Sequence, residues 1–263
     1  MAQLKGPIQF SGSLGNIRSY YDKNLKRYIL STKGGASKEL IYNNPAFART
    51  RENMNEWKAC CKWASQVRKS LVSIAHLHQG AYFPEIVALS KRIQKHDEQH
   101  VRGYRSIESS KASKQLTLLN FNQISPFDRV LSQAYDISFS DDKKTVTLKL
   151  PNFKSFSHLN WPTPYQWYRV TLVIAQLPDY LWQEDENCYG PVIRDLERLT
   201  VSVVSEWYPY STDIKDICLT ASFGQSALQT PGTTVIVAAG IEVQTSTLNS
   251  LGPGTMKIVE CFV

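Results

Sequence analysis

Four of the five histidines fall between residues 76 and 100: His76, His78, His96 and His100. His96 and His100 stand four apart in a stretch of helical periodicity, the spacing at which two imidazoles share a metal ion. They are the candidate metal ligands. However, the run His-Asp-Glu-Gln-His lacks the second-place glutamate of a zinc-peptidase helix. His76 and His78 are two apart and diverge on a regular helix. The plainer reading is surface and stripe histidines near helix ends, and no metal or cofactor is expected.

The cysteines, Cys60, Cys61, Cys188, Cys218 and Cys261, are odd in number and contain no C-x-x-C spacing. This argues against a disulfide framework or zinc ribbon and for a reducing compartment. Vicinal cysteines on a helix face different directions, so a Cys60–Cys61 bond would strain the backbone. Cys61 falls on an apolar stripe and reads as small core packing.

No G-x-S-x-G and no G-x-x-x-x-G-K-[ST] occurs. Gly12-Ser-Leu-Gly15 lacks the strand–loop–helix setting and the lysine that a phosphate cradle needs. The acidic run Glu184-Asp185-Glu186 reads as a solvated loop. The chain is therefore expected not to be an enzyme.

Basic residues interleaved with tyrosines are the most suggestive pattern. Arg18, Lys23, Lys26, Arg27 and Lys33 alternate with Tyr20, Tyr21 and Tyr28, a composition suited to phosphate contacts and base stacking. Arg49, Arg51, Lys58, Lys62, Arg68 and Lys69 extend the charge. No helix-turn-helix, RNP or C₂H₂ pattern accompanies them. A second cluster, Trp161, Tyr165, Trp167, Tyr168, Tyr180, Trp182, Trp207, Tyr208 and Tyr210, lies beside Pro-rich loops. It suits a glycan- or protein-binding rim, or else the core of a β domain.

The elements that position these residues follow from periodicity. Residues 6–35 are glycine-punctuated short strands, with Asp22-Lys23-Asn24 turning a β-hairpin. Asn44 caps and Pro45 opens a helix over roughly 45–78, with Phe47, Met54, Trp57, Cys61, Ala64, Leu71, Ile74 and His78 on one face. Pro84 opens a second helix, closed by Gly103, so the two read as an antiparallel helical hairpin. Residues 104–120 are polar and read as a linker. Beyond 135 the period becomes two: Val146/Leu148/Leu150, Val170/Leu172/Ile174, Val201/Val203, Val235–Val243 and Met256–Val263. The expected fold is α+β. A basic N-terminal region, 1–115, holds the β-hairpin and two helices, and an antiparallel, immunoglobulin-like β-sandwich occupies 116–263.

Charge divides along the same line. Residues 1–115 hold 20 Lys+Arg against 8 Asp+Glu, and residues 116–263 hold 10 against 15. Such a split suits a polyanion-binding half, or head-to-tail attraction between copies. The opening Met-Ala-Gln-Leu-Lys-Gly-Pro has no apolar run of signal-peptide length, and no stretch of about 18 apolar residues occurs. No membrane partner is expected, and the location is cytoplasmic or within a particle.

The segments Lys5-Gly-Pro-Ile-Gln-Phe-Ser-Gly-Ser-Leu-Gly15, Lys33-Gly-Gly, Asn44-Pro-Ala-Phe-Ala-Arg-Thr-Arg-Glu-Asn53 and Val235-Ile-Val-Ala-Ala-Gly-Ile-Glu carry a resemblance over most of the chain. It resembles a family of hypothetical proteins from Bacteroidota genomes and their phages. The resemblance implies a shared fold and lends no catalytic or binding residue. The leading expectation is a non-enzymatic structural or assembly protein, phage-derived, forming homo-oligomers. The alternatives are a sequence-tolerant nucleic-acid binder using the basic N-terminal part, and a glycan- or protein-binding sandwich module.

Overall fold

The computed structural model describes residues 2–3, 6, 9–32, 34–194, 199–224, 231–245 and 252–263. The chain divides into two compact units, residues 1–51 and 52–263. The first unit is built from short β-favouring runs set off by turns. Strands β1 (Ala2–Gln3), β2 (Gly12–Leu14), β3 (Ile17–Asp22) and β4 (Arg27–Thr32) form an antiparallel sheet in the order β1-β4-β3-β2. The β2–β3 link is two residues long and puts Gly15 at φ 57°, a left-handed value that glycine accepts without Cβ strain. At the β3–β4 turn the Asp22 carboxylate accepts the amides of Asn24 (2.8 Å) and Leu25 (3.0 Å). Helix α1 (Lys38–Asn43) is capped by Ser37, whose hydroxyl accepts the Leu40 amide at 3.1 Å. Asn44 caps the next turn through the Ala46 amide at 2.9 Å, with Pro45 at its first position.

The remaining helices are α2 (Ala48–Ser70), α3 (Phe83–Lys95), α4 (Phe127–Val130) and α5 (Ser155–His158), with 3₁₀ segments at Val72–Leu77 and Ser109–Leu118. The remaining strands are β5 (Asp136–Phe139), β6 (Thr145–Lys154), β7 (Trp167–Pro178), β8 (Tyr180–Gln183), β9 (Cys188–Pro191), β10 (Thr200–Val204), β11 (Tyr208–Pro209), β12 (Asp213–Ser222), β13 (Thr233–Gln244) and β14 (Gly254–Phe262). They pair antiparallel in a five-stranded sheet, β10-β7-β13-β14 with β11 beside β7, a three-stranded sheet, β12-β6-β5, and the pair β8-β9.

Alternation along β7 and β13 sends neighbouring side chains to opposite faces, and both faces are covered. Val173, Ala175, Leu177, Ile236, Ala238, Met256 and Ile258 share a core with Cys60, Trp63, Val67, Leu71, Ile74 and Leu77 and with Ile86, Leu89 and Ile93 of α3. Val170, Leu172, Ile174, Val235, Val237, Ala239 and Ile241 share another with Val146, Leu148 and Leu150 of β6 and Ile217 and Leu219 of β12. A strand buried on both sides needs a continuous apolar run, which is why 235–241 does not alternate with polar residues. The helical segment approaches this sheet closely at Gly240, where an added Cβ would stand 2.6 Å from Leu77 Cδ1.

Three expectations change. The helices assigned to a 1–115 region share a core with β7, β13 and β14, and the compact units meet at 51/52. Residues 104–120 are a packed connection: Ile107 and Tyr180 exchange backbone hydrogen bonds at 2.8 and 3.1 Å. Ser109 Oγ and the Ser110 amide donate to Asp179 at 3.0 and 2.9 Å. The buried stripe of α2 runs through Glu56, Ala59, Cys60, Trp63, Ala64 and Val67, whereas Trp57 is 57% exposed and Cys61 is half-buried. No helix among the described residues is long and apolar enough to cross a membrane.

Candidate functional site

The β3–β4 pairing decides which of the basic residues act together. Register sets Arg18 opposite Ser31, Tyr20 opposite Ile29 and Asp22 opposite Arg27, so all six share one face. The Arg18 guanidinium lies 5.5 Å from the Tyr20 ring centre and its Nε donates to Ser31 Oγ at 3.3 Å. Arg18 and Arg27 are exposed, as are Lys23 and Lys26 in the turn. Lys26 adopts φ 49°, which aims the turn back into β4. Lys33 lies outside the described residues.

The opposite face is apolar. Leu14 pairs with Ile17, Ser19 with Leu30 and Tyr21 with Tyr28, the last two rings meeting edge to face at 5.2 Å. Leu14 is 73%, Ile17 40% and Tyr21 47% exposed. The sheet is thus two-faced, mainly basic and aromatic on one side and mainly aliphatic and aromatic on the other, with buried Ile29 at the centre of the first face and buried Ser19 at the centre of the second. Residues 1–51 hold 9 Lys+Arg against 2 Asp+Glu, and residues 52–263 hold 21 against 21, so the whole net charge of +7 belongs to this small unit.

The candidate metal pair does not form. Helix α3 ends at Lys95, His96 is its C-cap, and His100 lies beyond the helix, so the four-residue spacing has no helical geometry behind it. His100 Nδ1 donates to Asp97 Oδ2 at 2.8 Å instead. Burial alone would raise the Asp97 carboxyl, but hydrogen bonds from Ser106, His100 and Gln99 overcome it and hold the group below the usual carboxylate range. His78 donates to the Ala75 carbonyl and packs edge-on against Tyr82. No group of three or more His, Cys, Asp or Glu side chains among the described residues is placed to hold a metal ion. Cys60 and Cys61 are both free, and burial pushes both thiols up, away from thiolate chemistry.

Two buried carboxylates were not legible as sites. Glu56, on the covered face of α2, accepts Arg105 Nε at 2.7 Å and Nη2 at 3.1 Å, the Gly103 amide at 3.0 Å, and Lys91 Nζ. Burial alone would raise it, yet these donors hold it at about 2. Glu242 in β13 accepts Arg169 Nε at 2.9 Å and Nη2 at 2.7 Å, the Gly252 amide at 2.6 Å, and contacts His76 Nε2 at 3.3 Å. The Arg169 guanidinium then lies 4.5 Å from the Trp207 ring centre. Each carboxylate is met by at least one cation from a distant segment and by further hydrogen-bond partners, the pattern of a structural tie. No sequence pattern signals either, because the side-chain partners are 35 to 166 residues away.

The remaining features are spent on packing. Trp161, Tyr165 and Tyr208 pack against the core between β7 and β6, Trp182 packs against the helix-side core, and Tyr168 is fully buried. An open cleft of about 390 Å³ is lined by Lys62, Lys69, Gln183, Glu186, Cys188 and Arg194. Lys62 donates to the Tyr189 carbonyl at 2.7 Å and Arg194 pairs with Glu186, so two of its three cations have partners. Compared with family models, with curated proteins and with solved structures, the chain matches none.

Proposed function

We propose that this chain is a non-enzymatic structural protein that assembles with copies of itself, as a phage-derived particle or filament component. The observation that carries this reading is the apolar face of the N-terminal sheet, where Leu14, Ile17 and Tyr21 are exposed in a single chain. Aliphatic and aromatic residues grouped on one sheet face stabilise a contact when they are covered. Among the described residues β2 pairs only with β3, so the same unit also offers an edge for strand addition. Charge favours a second copy as the occupant: the N-terminal unit carries +7, and although residues 52–263 balance at 21 against 21, their 116–263 portion holds 10 Lys+Arg against 15 Asp+Glu. The finer description of the C-terminal strands as an immunoglobulin-like sandwich is supported by the antiparallel pairing and common core of the two larger sheets.

The test is light scattering after size exclusion, at roughly 50 and 500 mM salt, on the chain and on its Leu14→Ser/Ile17→Ser variant. Defined oligomers are expected, persisting at high salt because apolar burial is not screened. The variant is expected to be monomeric with an unchanged unfolding midpoint for residues 52–263. A wild-type chain that stays monomeric in both salts at high concentration refutes the reading.

A further inference from the structure

We infer that the Arg18 face of the N-terminal sheet is a binding surface for single-stranded nucleic acid, separate from the apolar face proposed for self-association. Three observations on that face converge. The first is charge: every excess positive charge of the chain lies in residues 1–51, so this unit is the one that attracts a polyanion. The second is placement. Arg18 and Arg27 project from the same side of β3 and β4 at opposite ends, four residue steps or about 13 Å apart, with Lys23 and Lys26 at the turn beyond Arg27. A strand of phosphates running along the sheet meets them in succession. Asp22 stands opposite Arg27 and offsets one charge, so the face is graded, most basic at the turn and at Arg18.

The third observation is the ring. Tyr20 lies between the two arginines on this face, only partly buried, with Arg18 over it. The accessible part of this ring, beside guanidinium groups, offers a base a stacking surface whatever its identity. Duplex DNA hides base faces within its stack and presents phosphates and base edges, so the tyrosine favours single strands. An anionic lipid surface would use the same cations and would accept a tyrosine at its interface, but it has no planar base to stack on the ring. Stacking is therefore the property that separates the two partners.

Fluorescence anisotropy of labelled oligothymidine, titrated with the full chain between roughly 50 and 500 mM salt, tests this. For three or four cations on a single strand, log K is expected to fall with log salt at a slope of about −2 to −3. Arg18→Gln/Arg27→Gln is expected to flatten that slope by about 1.4. Lys23→Gln/Lys26→Asn alters the exposed turn alone, with asparagine tolerating the left-handed backbone, and is expected to flatten it similarly. Tyr20→Leu is expected to weaken binding about fivefold or more with the slope unchanged. Leu14→Ser/Ile17→Ser is expected to leave monomer affinity unaltered, so failure of the assembly reading leaves this one standing. The inference is overturned if neither charge variant changes the slope. It is also overturned if Tyr20→Leu binds as tightly as wild type while phosphatidylserine vesicles compete with the oligonucleotide, which would assign the face to lipid.

Discussion

Replacing Glu56 by glutamine probes the tie between α2, α3 and the 97–107 connection. The side chain is 1% exposed and receives Arg105, the Gly103 amide and Lys91. Its carboxyl is held at about 2 in the folded protein, against 4.5 when solvated. The charged form is therefore favoured by folding. A carboxyl so placed contributes on the order of 3 kcal/mol at neutral pH, all of it present above about pH 4.5 and lost as pH falls toward 2. Glutamine keeps the shape but turns an N–H₂ toward two cations, leaving Lys91 and Arg105 uncompensated at side-chain exposures of 28% and 20%. Breaking one side of such a network costs about 3–5 kcal/mol. Urea unfolding followed by tryptophan emission, reporting on buried Trp63, should show that loss at pH 7. The gap between wild type and Glu56→Gln should then narrow steadily from pH 5 to pH 2. The comparison is differential, so other acids such as Asp97 cancel. A gap under about 1 kcal/mol at pH 7, or one independent of pH, refutes the account of Glu56 as a charged tie.

Asp179 should behave with the opposite sign. Burial pushes its carboxyl up despite hydrogen bonds from Ser110 and Ser109, so its ionisation opposes folding at neutral pH and that penalty disappears as pH falls. Asp179→Asn is expected to cost less than about 1 kcal/mol at pH 7, measured by the same urea unfolding. Gly240→Ala places a methyl 2.6 Å from Leu77 Cδ1 and 3.1 Å from Ile74 Cγ2. It should lower stability by about 1–3 kcal/mol, and adding Leu77→Ala should cost less on that background than alone, read as a positive coupling in a double-mutant cycle.

The elements were largely legible. Alternation in 146–150 and 170–174 marks strands β6 and β7, and the long apolar run marks β13. The Asp22 turn and the Asn44 cap with Pro45 are local hydrogen-bond and φ preferences, which neighbouring residues settle among themselves. The helix face was legible only in part. Apolar spacing named Ala64, Leu71 and Ile74, which are buried, but also Trp57, which is exposed, and it passed over Glu56 on the covered face. Burying a carboxylate is unfavourable unless cations accompany it, and Arg105 arrives from 49 residues away. The polar stretch 104–120 misled in the same manner, since Ser109 and Ser110 spend their polarity on Asp179, about 70 residues on.

The candidate surface divides similarly. Arg18, Lys23, Lys26, Arg27 and the tyrosines could be named from composition, because charge and ring chemistry belong to the residue. Strand register then sorted them, Arg18, Tyr20 and Arg27 to one face and Tyr21, Tyr28 and Leu14 to the other. The histidines show the converse, since a spacing that suits a metal exists only while the helix continues, and α3 stops at Lys95. The sequence by itself determined where the longer strands run, where the helices begin and where the positive charge resides, as these depend on short-range sterics and side-chain identity. Only the tertiary structure decided which faces are covered, which carboxylates find cations and which basic residues stand together, because each depends on contacts between residues far apart in the chain.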